Sequence, residues 1–562
     1  MTTALHSPTA PDVASARDIY ARLALPYIPR LLQLIDRNPF SRTYGCFDRA
    51  YWHYRTMDFP CGMAQEFVLP LALVVTRAYP GNPYLGVARV RELAEAAVRF
   101  LVPASHSDGT TDDYFPFERA MGALVFSLYA GAESYRLLGM NDPRVVDLLA
   151  KRVAHLAHEN ETGQLSNHQA FAALAAYTVF QITGDDRHRR VAEDRVALTL
   201  SWQHAEGWFQ EYEGADPGYH TCTIDFLAKY MQKAGATSLR APLVKAADFA
   251  ANFMHPDGSY GGEYGSRNTF HFYPHGFELL APHAPSAMFI AESFLRGAPR
   301  GKRYINDDDR MTAHYVYNFL QAYDDFAPRG PAPARPDRAQ TILWLPGAKM
   351  ALRRADPDSP AEYHAVANLA KGGALKVFDA DGPIASDTGL TATLADGRTV
   401  VSHLVQNSAP IDADPAAGRF TVRAVLCRRR HNLPTPFKNI VFRALLLTVG
   451  RFNANLTRSM LQKILITGKP TTPFRFERTV EFMPDRVIVI DRIDASAPIT
   501  RLAVGADGTS IYVANSNVYQ ESVLCPWQFA DWNALPVEGA FKVWRREYFR
   551  GSGHAPGGGL GA

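Results

Sequence analysis

Two short stretches hold residue types able to do acid–base work beside an anion. The first is Ser166-Asn167-His168-Gln169, ahead of the apolar run FAALAAYTVF. Ser followed three residues later by Gln predicts a capping box. It sets Asn167 and His168 in the first turn of a helix. Free amides and the helix dipole make such a turn receptive to anions. The same field disfavours a charged imidazole, which keeps His168 able to accept a proton. Asn167 can donate an amide N–H to a carboxylate while neighbours orient its carbonyl. In the second stretch Tyr219 follows the turn Gly214-Ala215-Asp216-Pro217-Gly218 and precedes a helical run to Tyr230. Tyrosine is a poor base at its ordinary pKa of about 10. A phenolate stabilised by cations or donors takes or returns a proton at a reach of about 3 Å. Together these types suit removal of a proton next to a carboxylate. A solvated helix start and a buried tyrosine post are the plainer alternatives.

A third cluster is Glu263-Tyr264-Gly265-Ser266-Arg267-Asn268-Thr269, then His271, Tyr273 and His275. Arg267 is the first choice for binding a carboxylate, because its planar fork reaches two oxygens. His271 is a candidate second acid or base, and Tyr264 and His275 are candidate substrate contacts. His271-Phe272-Tyr273-Pro274-His275 lacks the HExxH pattern of a zinc helix, so zinc is not favoured there. Glu213, in the Tyr219 loop, is a further candidate substrate contact; with Glu211 and Asp216 it could orient donors or bind a metal, but these acids would oppose an adjacent phenolate. Upstream, Tyr44 to Arg55 is dense in aromatic and polar groups. Tyr54 and Arg55 are its candidate contacts to a sugar ring and an anion; a core seam between helices is the alternative.

These residues must be carried by helices. From 64 to about 325 apolar positions recur at helical spacing, broken at Pro80-Gly81, Gly139, Gly184-Asp185-Asp186 and Pro256-Asp257-Gly258. Many short amphipathic helices in hairpin order bury their stripes against one another; a ring of paired helices does this and leaves a cleft. Glu206-Gly207-Trp208 and Asp257-Gly258-Ser259 read as the same turn used twice, and repeated turns tend to emerge on one face. The proline-rich segment 326–340 marks a boundary. Beyond it the period changes to that of strands, clearest in FRFERTVEFMPDRVIVIDRI. The expected architecture is α+β. A helical toroid covers 15–325, a linker 326–340, an antiparallel β-sandwich 341–550 and a Gly-rich tail 551–562. A short helix is possible within 436–467.

Composition narrows the partners. Charged residues make up 20% of the 562, with a formal net charge of +3. No basic tract carries interleaved aromatics, so nucleic acid is not an expected partner. The densest basic run, Arg428-Arg429-Arg430-His431, reads as a solvated strand end or as a contact to an anionic polymer. The five cysteines show no metal or disulfide spacing. Phe67 to Val75 is too short to span a bilayer, and no membrane partner is expected. The first residues lack a secretion signal, from which a cytoplasmic protein is expected, with export by an unrecognised route as the alternative. Homo-oligomerisation stays open.

Asn167-His168, the EGxxxxY arrangement from Glu213-Gly214 to Tyr219, the spacing between them and FERTVEF at 476–482 resemble the heparinase II/III-like polysaccharide lyases and the related alginate lyases. That resemblance implies an α/α toroid followed by a β-sandwich. It implies β-elimination on a uronate-containing acidic polysaccharide or oligosaccharide, with Asn167 and His168 neutralising the carboxylate and Tyr219 as base, acid or both. A C5 epimerase and a non-catalytic glycan-binding protein are the alternatives. No cofactor is expected. Relatives carry an HxHxD-like metal segment where this chain has Asn368-Leu369-Ala370-Lys371-Gly372. Lys371 there reads as a surface lysine. The Asp-x-Gly turn is present as Asp387-Thr388-Gly389.

Overall fold

The structure, a computed structural model, describes residues 13–158, 163–302, 310–329, 341–354, 363–379, 381–429, 435–454, 457, 468–506 and 519–550. Residues 330–340 of the expected linker and the tail from 551 lie outside them.

The N-terminal part is built from α1 (Val13–Ala24), α2 (Ile28–Leu34), α3 (Arg49–Trp52), α4 (Val68–Thr76), α5 (Ala88–Phe100), α6 (Met121–Leu138) and α7 (Pro143–His158). It continues through α8 (Ser166–Thr183), α9 (Asp186–Ser201), α10 (Pro217–Ala234), α11 (Arg240–Ala251), α12 (His275–Leu280), α13 (Pro285–Gly297) and α14 (Thr312–Asp324). Even-numbered helices from α4 to α14 form an inner ring: α4 packs on α6, α6 on α8, α8 on α10, α10 on α12, α12 on α14 and α14 back on α4. Helices α5, α7, α9, α11 and α13 pack outside, and α1 covers α14. Sequence pattern explains the division. Inner helices such as α6 and α10 bury side chains around most of their circumference, whereas α7 buries a stripe, Val145, Leu148, Leu149, Arg152, Val153 and Leu156. Aromatic rings fill the centre of the ring: Phe171 of α8 stacks on Phe226 of α10 at 3.8 Å, with Phe126 and His314 on their edges.

The repeated turn is real and occurs a third time. After α5, α9 and α11 the chain turns at His106–Thr110, His204–Trp208 and His255–Ser259. In each the glycine N–H returns to the histidine carbonyl, and the histidine N–H bonds the fifth carbonyl. Gly109, Gly207 and Gly258 have φ of 86°, 103° and 87°, backbone that a side chain rarely adopts. The second and third turns face the β region. Glu206 accepts from the N–H groups of Gly347 and Ala348, and His255 stacks on Phe378 at 3.9 Å.

The C-terminal part is antiparallel throughout its described strands. β1 (Ile342–Leu345), β2 (Met350–Arg353), β3 (His364–Asn368), β4 (Ala374–Phe378) and β5 (Pro383–Asp387) form one sheet in sequence order. The larger sheet holds β6 (Leu390–Leu394), β7 (Thr399–Val401), β8 (Ile411–Asp414), β9 (Arg419–Arg428), β10 (Thr471–Phe482), β11 (Arg486–Asp494), β12 (Ile499–Val504), β13 (Gln528–Ala530), β14 (Val537–Glu538) and β15 (Phe541–Phe549). Its order is β13-β12-β6-β7-β9-β10-β11-β15-β14, with β8 on β9. The first sheet is buried on both faces. Met350, Leu352 and Val366 pack into the helical core, while Ala351, Ala365 and Ala367 pack against the second sheet. Side-chain alternation along a strand makes this three-layer arrangement possible. A helix, α15 (Pro436–Leu445), leaves the sheet between β9 and β10.

Candidate functional site

Asn167 and Arg267 meet on Glu211, and Tyr219 lies against Arg267. The carboxylate of Glu211 accepts from Asn167 N at 3.0 Å, from Asn167 Nδ2 at 2.7 Å and from the Arg267 guanidinium at 3.1 Å. The guanidinium lies 3.5 Å from the centre of the Tyr219 ring and 4.9 Å from that of Tyr212. His271 stands edge-on to Tyr219 at 4.9 Å, and its Nδ1 is 2.7 Å from Tyr315 Oη. All of these except Tyr212 are buried.

Local sequence explains each placement. Asp216, in the middle of the Gly214–Gly218 turn, caps α10, accepting Tyr219 N at 2.9 Å. Its second oxygen accepts Arg267 N at 2.7 Å, and Thr269 Oγ1 donates to the first. One aspartate therefore ties the Tyr219 helix to the Arg267 loop. Gly218 permits that approach, because a Cβ there would collide with Thr269 Oγ1. At α8 the expected capping box does not form. The N-cap is Leu165, with no side-chain cap. The Ser166 hydroxyl donates to Gln210 O at 2.7 Å, and Gln169 accepts from Arg195 at 2.6 Å. The strand-like pairing of Leu165 with Glu211 outcompetes the local motif. Asn167 and His168 still occupy the first helical turn.

Electrostatics hold the cluster together. Burial raises the Glu211 carboxyl pKa, and Arg267 and the Asn167 donors oppose that rise without cancelling it. Burial alone would lower the Arg267 pKa; Tyr219, Tyr212, Glu211 and Asp216 raise it overall, so the guanidinium stays charged. Asn167 differs from the sequence expectation. Its N–H, not its carbonyl, is the oriented end, and Oδ1 is buried without a partner among the described residues. A buried amide oxygen left bare is costly unless something fills the site.

The remaining candidates fall in several places. His168 packs against α6, edge-on to Phe126 at 6.2 Å and close over Gly122, and lies near enough to Glu211 to lower its pKa. Arg267 sits directly against Tyr219. Glu213 pairs with Lys469 of the β region at 2.5 Å and lines a cleft of about 190 Å³ with Asn407, His403 and Lys349. Tyr264 belongs to the seam between the two parts: its hydroxyl is 2.9 Å from His255 Nε2, and its carbonyl accepts from Asn368. His275 is a buried partner of Asp325 at 2.8 Å at the start of α12. Tyr54 is 61% exposed, beside Arg49 at 5.0 Å, and Arg55 is exposed with φ 56°. These contacts leave Tyr264, His275, Tyr54 and Arg55 outside the Tyr219 cluster.

Tyr315 is a participant that motif reading did not find, and Glu211 was legible only as one of three acids able to orient donors or bind a metal. Glu211 stood in view beside Glu213, but only its partner 56 residues away gives it a role. Lys371 is also not on the surface. It is buried and donates to the carbonyls of Glu263 at 2.5 Å and Gly265 at 3.1 Å, clamping the loop that bears Arg267. Burial pushes its ammonium pKa down to about 8, against the raising effect of Asp216 and Glu263. Among the described residues no group of three or more His, Cys, Asp or Glu side chains is placed to hold a metal. No described helix is long and apolar enough to cross a membrane.

Glu211→Gln keeps the shape of the hub and removes its charge. We expect stability to fall by about 1–3 kcal/mol as Arg267 loses its ion partner, read as a lower denaturant midpoint at unchanged slope.

No family model and no curated protein matches the chain. Among solved structures it is similar to a xanthan lyase from Paenibacillus, with TM-score 0.52 and 10% identity over 89% of this chain and 47% of that one. It therefore spans about half the length of that enzyme. Heparinase III matches with TM-score 0.48 and 10% identity over 96% and 82% of the two chains. A cellobiose 2-epimerase from Spirochaeta thermophila matches over 56% of this chain and 97% of its own, at TM-score 0.41 and 13% identity. At 10% identity the likeness to the xanthan lyase is one of fold alone.

Proposed function

We propose that the chain cleaves a uronate-containing acidic glycan by β-elimination at the Tyr219 cluster. The observation that carries this reading is the Arg267 guanidinium held 3.5 Å from the Tyr219 ring by an ion pair to Glu211, the same carboxylate that fixes Asn167. A fixed cation against the ring favours the phenolate form that a base requires. Asn167 and His168, in the first turn of α8, are the groups assigned to neutralise the uronate carboxylate. Tyr219 Oη takes the C5 proton. The C5–H electrons form the C4–C5 double bond while the carboxylate carries the developing charge, and the C4–O bond breaks. The departing oxygen takes a proton from Tyr219 or His271. No water is added and no redox partner is needed.

His271 beside Tyr219 favours one second reading. Two Brønsted groups at one carbon are what a C5 epimerase uses, returning a proton to the opposite face without breaking C4–O. A panel of uronate glycans incubated in heavy water separates the two. Elimination is expected to give products with an unsaturated, ultraviolet-absorbing end and no added water in the mass. Deuterium at C5 of uncleaved chains would move the assignment to epimerase. A mass gain of one water per cut would exclude both.

A further inference from the structure

A surface far along the chain from Tyr219 has the make-up of a membrane-docking element. Thr435 caps α15, its hydroxyl accepting from Lys438 N, and Pro436 starts the helix. The helix runs on into a π-helical turn, Leu446–Gly450. Its inner side rests on the toroid. Phe442 meets Phe115 edge-on at 5.9 Å, Leu446 and Gly450 are buried, Arg443 pairs with Asp58, and Arg451 lies 5.6 Å from the Phe117 ring. The outer side is apolar, and its side chains are exposed among the described residues. Phe437 is 74% exposed, Ile440 69% and Phe452 85%, with Val441 and Leu447 exposed between them. Positions 437, 440, 441, 444 and 447 follow the helical period, so they form one outward stripe.

Charge selects the occupant. From Arg428 to Lys469 the sequence has nine Lys or Arg and no Asp or Glu, in a protein of net charge +3. The excess is therefore local to this excursion. Lys438 is exposed beside the stripe. An acidic polysaccharide would answer the basic residues but leave the phenylalanines in water. A second copy would bring the same positive charge against itself. An anionic phospholipid surface answers both features, with acyl chains for Phe437, Ile440 and Phe452 and headgroups for Lys438.

We propose that α15 and the turn after it seat the protein on an anionic bilayer without crossing it. The contact lies outside the Tyr219 cluster and holds for either reaction. The test is co-sedimentation of the full chain with phosphatidylcholine vesicles, and with vesicles in which part of the lipid is phosphatidylglycerol. Binding is expected only to the second kind, lost at high salt. The triple variant Phe437→Ser, Ile440→Ser, Phe452→Ser is expected to bind about tenfold or more weakly, and Lys438→Glu to weaken binding as well. All four residues are exposed, so unchanged circular dichroism and thermal midpoint should accompany the loss. Failure to bind the anionic vesicles would overturn the proposal, as would binding indifferent to the triple variant. So would a dimer by light scattering that the same variant converts to monomer.

Discussion

Tyr219→Phe should fold normally and lose nearly all turnover. The ring is what the structure packs: it lies under Arg267 at 3.5 Å and against His271 at 4.9 Å, and phenylalanine keeps both contacts. Its backbone N–H still caps through Asp216. Removing the hydroxyl costs stability on the order of 1 kcal/mol. It removes the group assigned to take the proton, a role worth about 100- to 10,000-fold in rate. The expected signature on the glycan that the native chain turns over is a fall in kcat with little change in KM and near-native melting. Arg267→Lys is the informative companion. It retains a positive charge but not the flat stack on the ring or the fork to Glu211, so it should also be slow. Full activity in Tyr219→Phe would remove Tyr219 as acid or base, and His271 would inherit the role.

The largest effect on stability is expected at Arg478. It lies between the two sheets with no exposed surface, bonded to Asp491 through Nε and Nη2 and to Asp387 through Nη1, each at 2.8 Å. Arg546 bonds the same two carboxylates at 3.0 and 2.6 Å, and Tyr548 donates to Asp387. Two cations and two anions cancel in a site closed to water. Arg478→Met leaves three charges and one surplus negative, for which the penalty is about 3–5 kcal/mol. Denaturant unfolding of the purified variant measures it; a loss under about 1 kcal/mol would mean that the cluster is better hydrated than its burial indicates.

The same cluster predicts an acid limb. Burial would raise the Asp387 pKa, but Arg478 and Arg546 together hold it down at about 2. In the unfolded chain an aspartate titrates near 3.9. Because the folded value is the lower one, Asp387 contributes its full stabilisation above about pH 4. That contribution, on the order of 2–3 kcal/mol, is lost as pH falls towards about 2. In Arg478→Met one of the two restraining cations is gone, so the acid limb should move to higher pH. An unmoved limb would assign acid unfolding to other carboxylates.

Sequence reading located the parts of this protein better than it joined them. Helix and strand periods, and the switch between them near the proline-rich segment, are local properties written every two to four residues. They sufficed for the toroid and the antiparallel sheets. FERTVEF and Asp387-Thr388-Gly389 were legible as separate motifs. Their reason is one contact, Arg478 to Asp387, across 91 residues. Segment 166–169 shows where local rules stop: a capping box was legible, yet Ser166 and Gln169 bond elsewhere because the Leu165–Glu211 pairing claims the helix start.

By itself, then, the amino-acid sequence determined that Asn167 opens a helix, that Tyr219 follows a tight turn, and that Arg267 stands in a polar loop. Tertiary structure alone decided that Asn167 and Arg267 share Glu211, and that Tyr219 and Arg267 share Asp216. It turned Tyr264 and His275 into packing partners, and it buried Lys371 as a clamp. The physical reason is range. Propensity and periodicity act along a few residues of chain. The Glu211 bonds span 44 and 56 residues, and they exist because the inner helices close into a ring and a sheet seals one face of it.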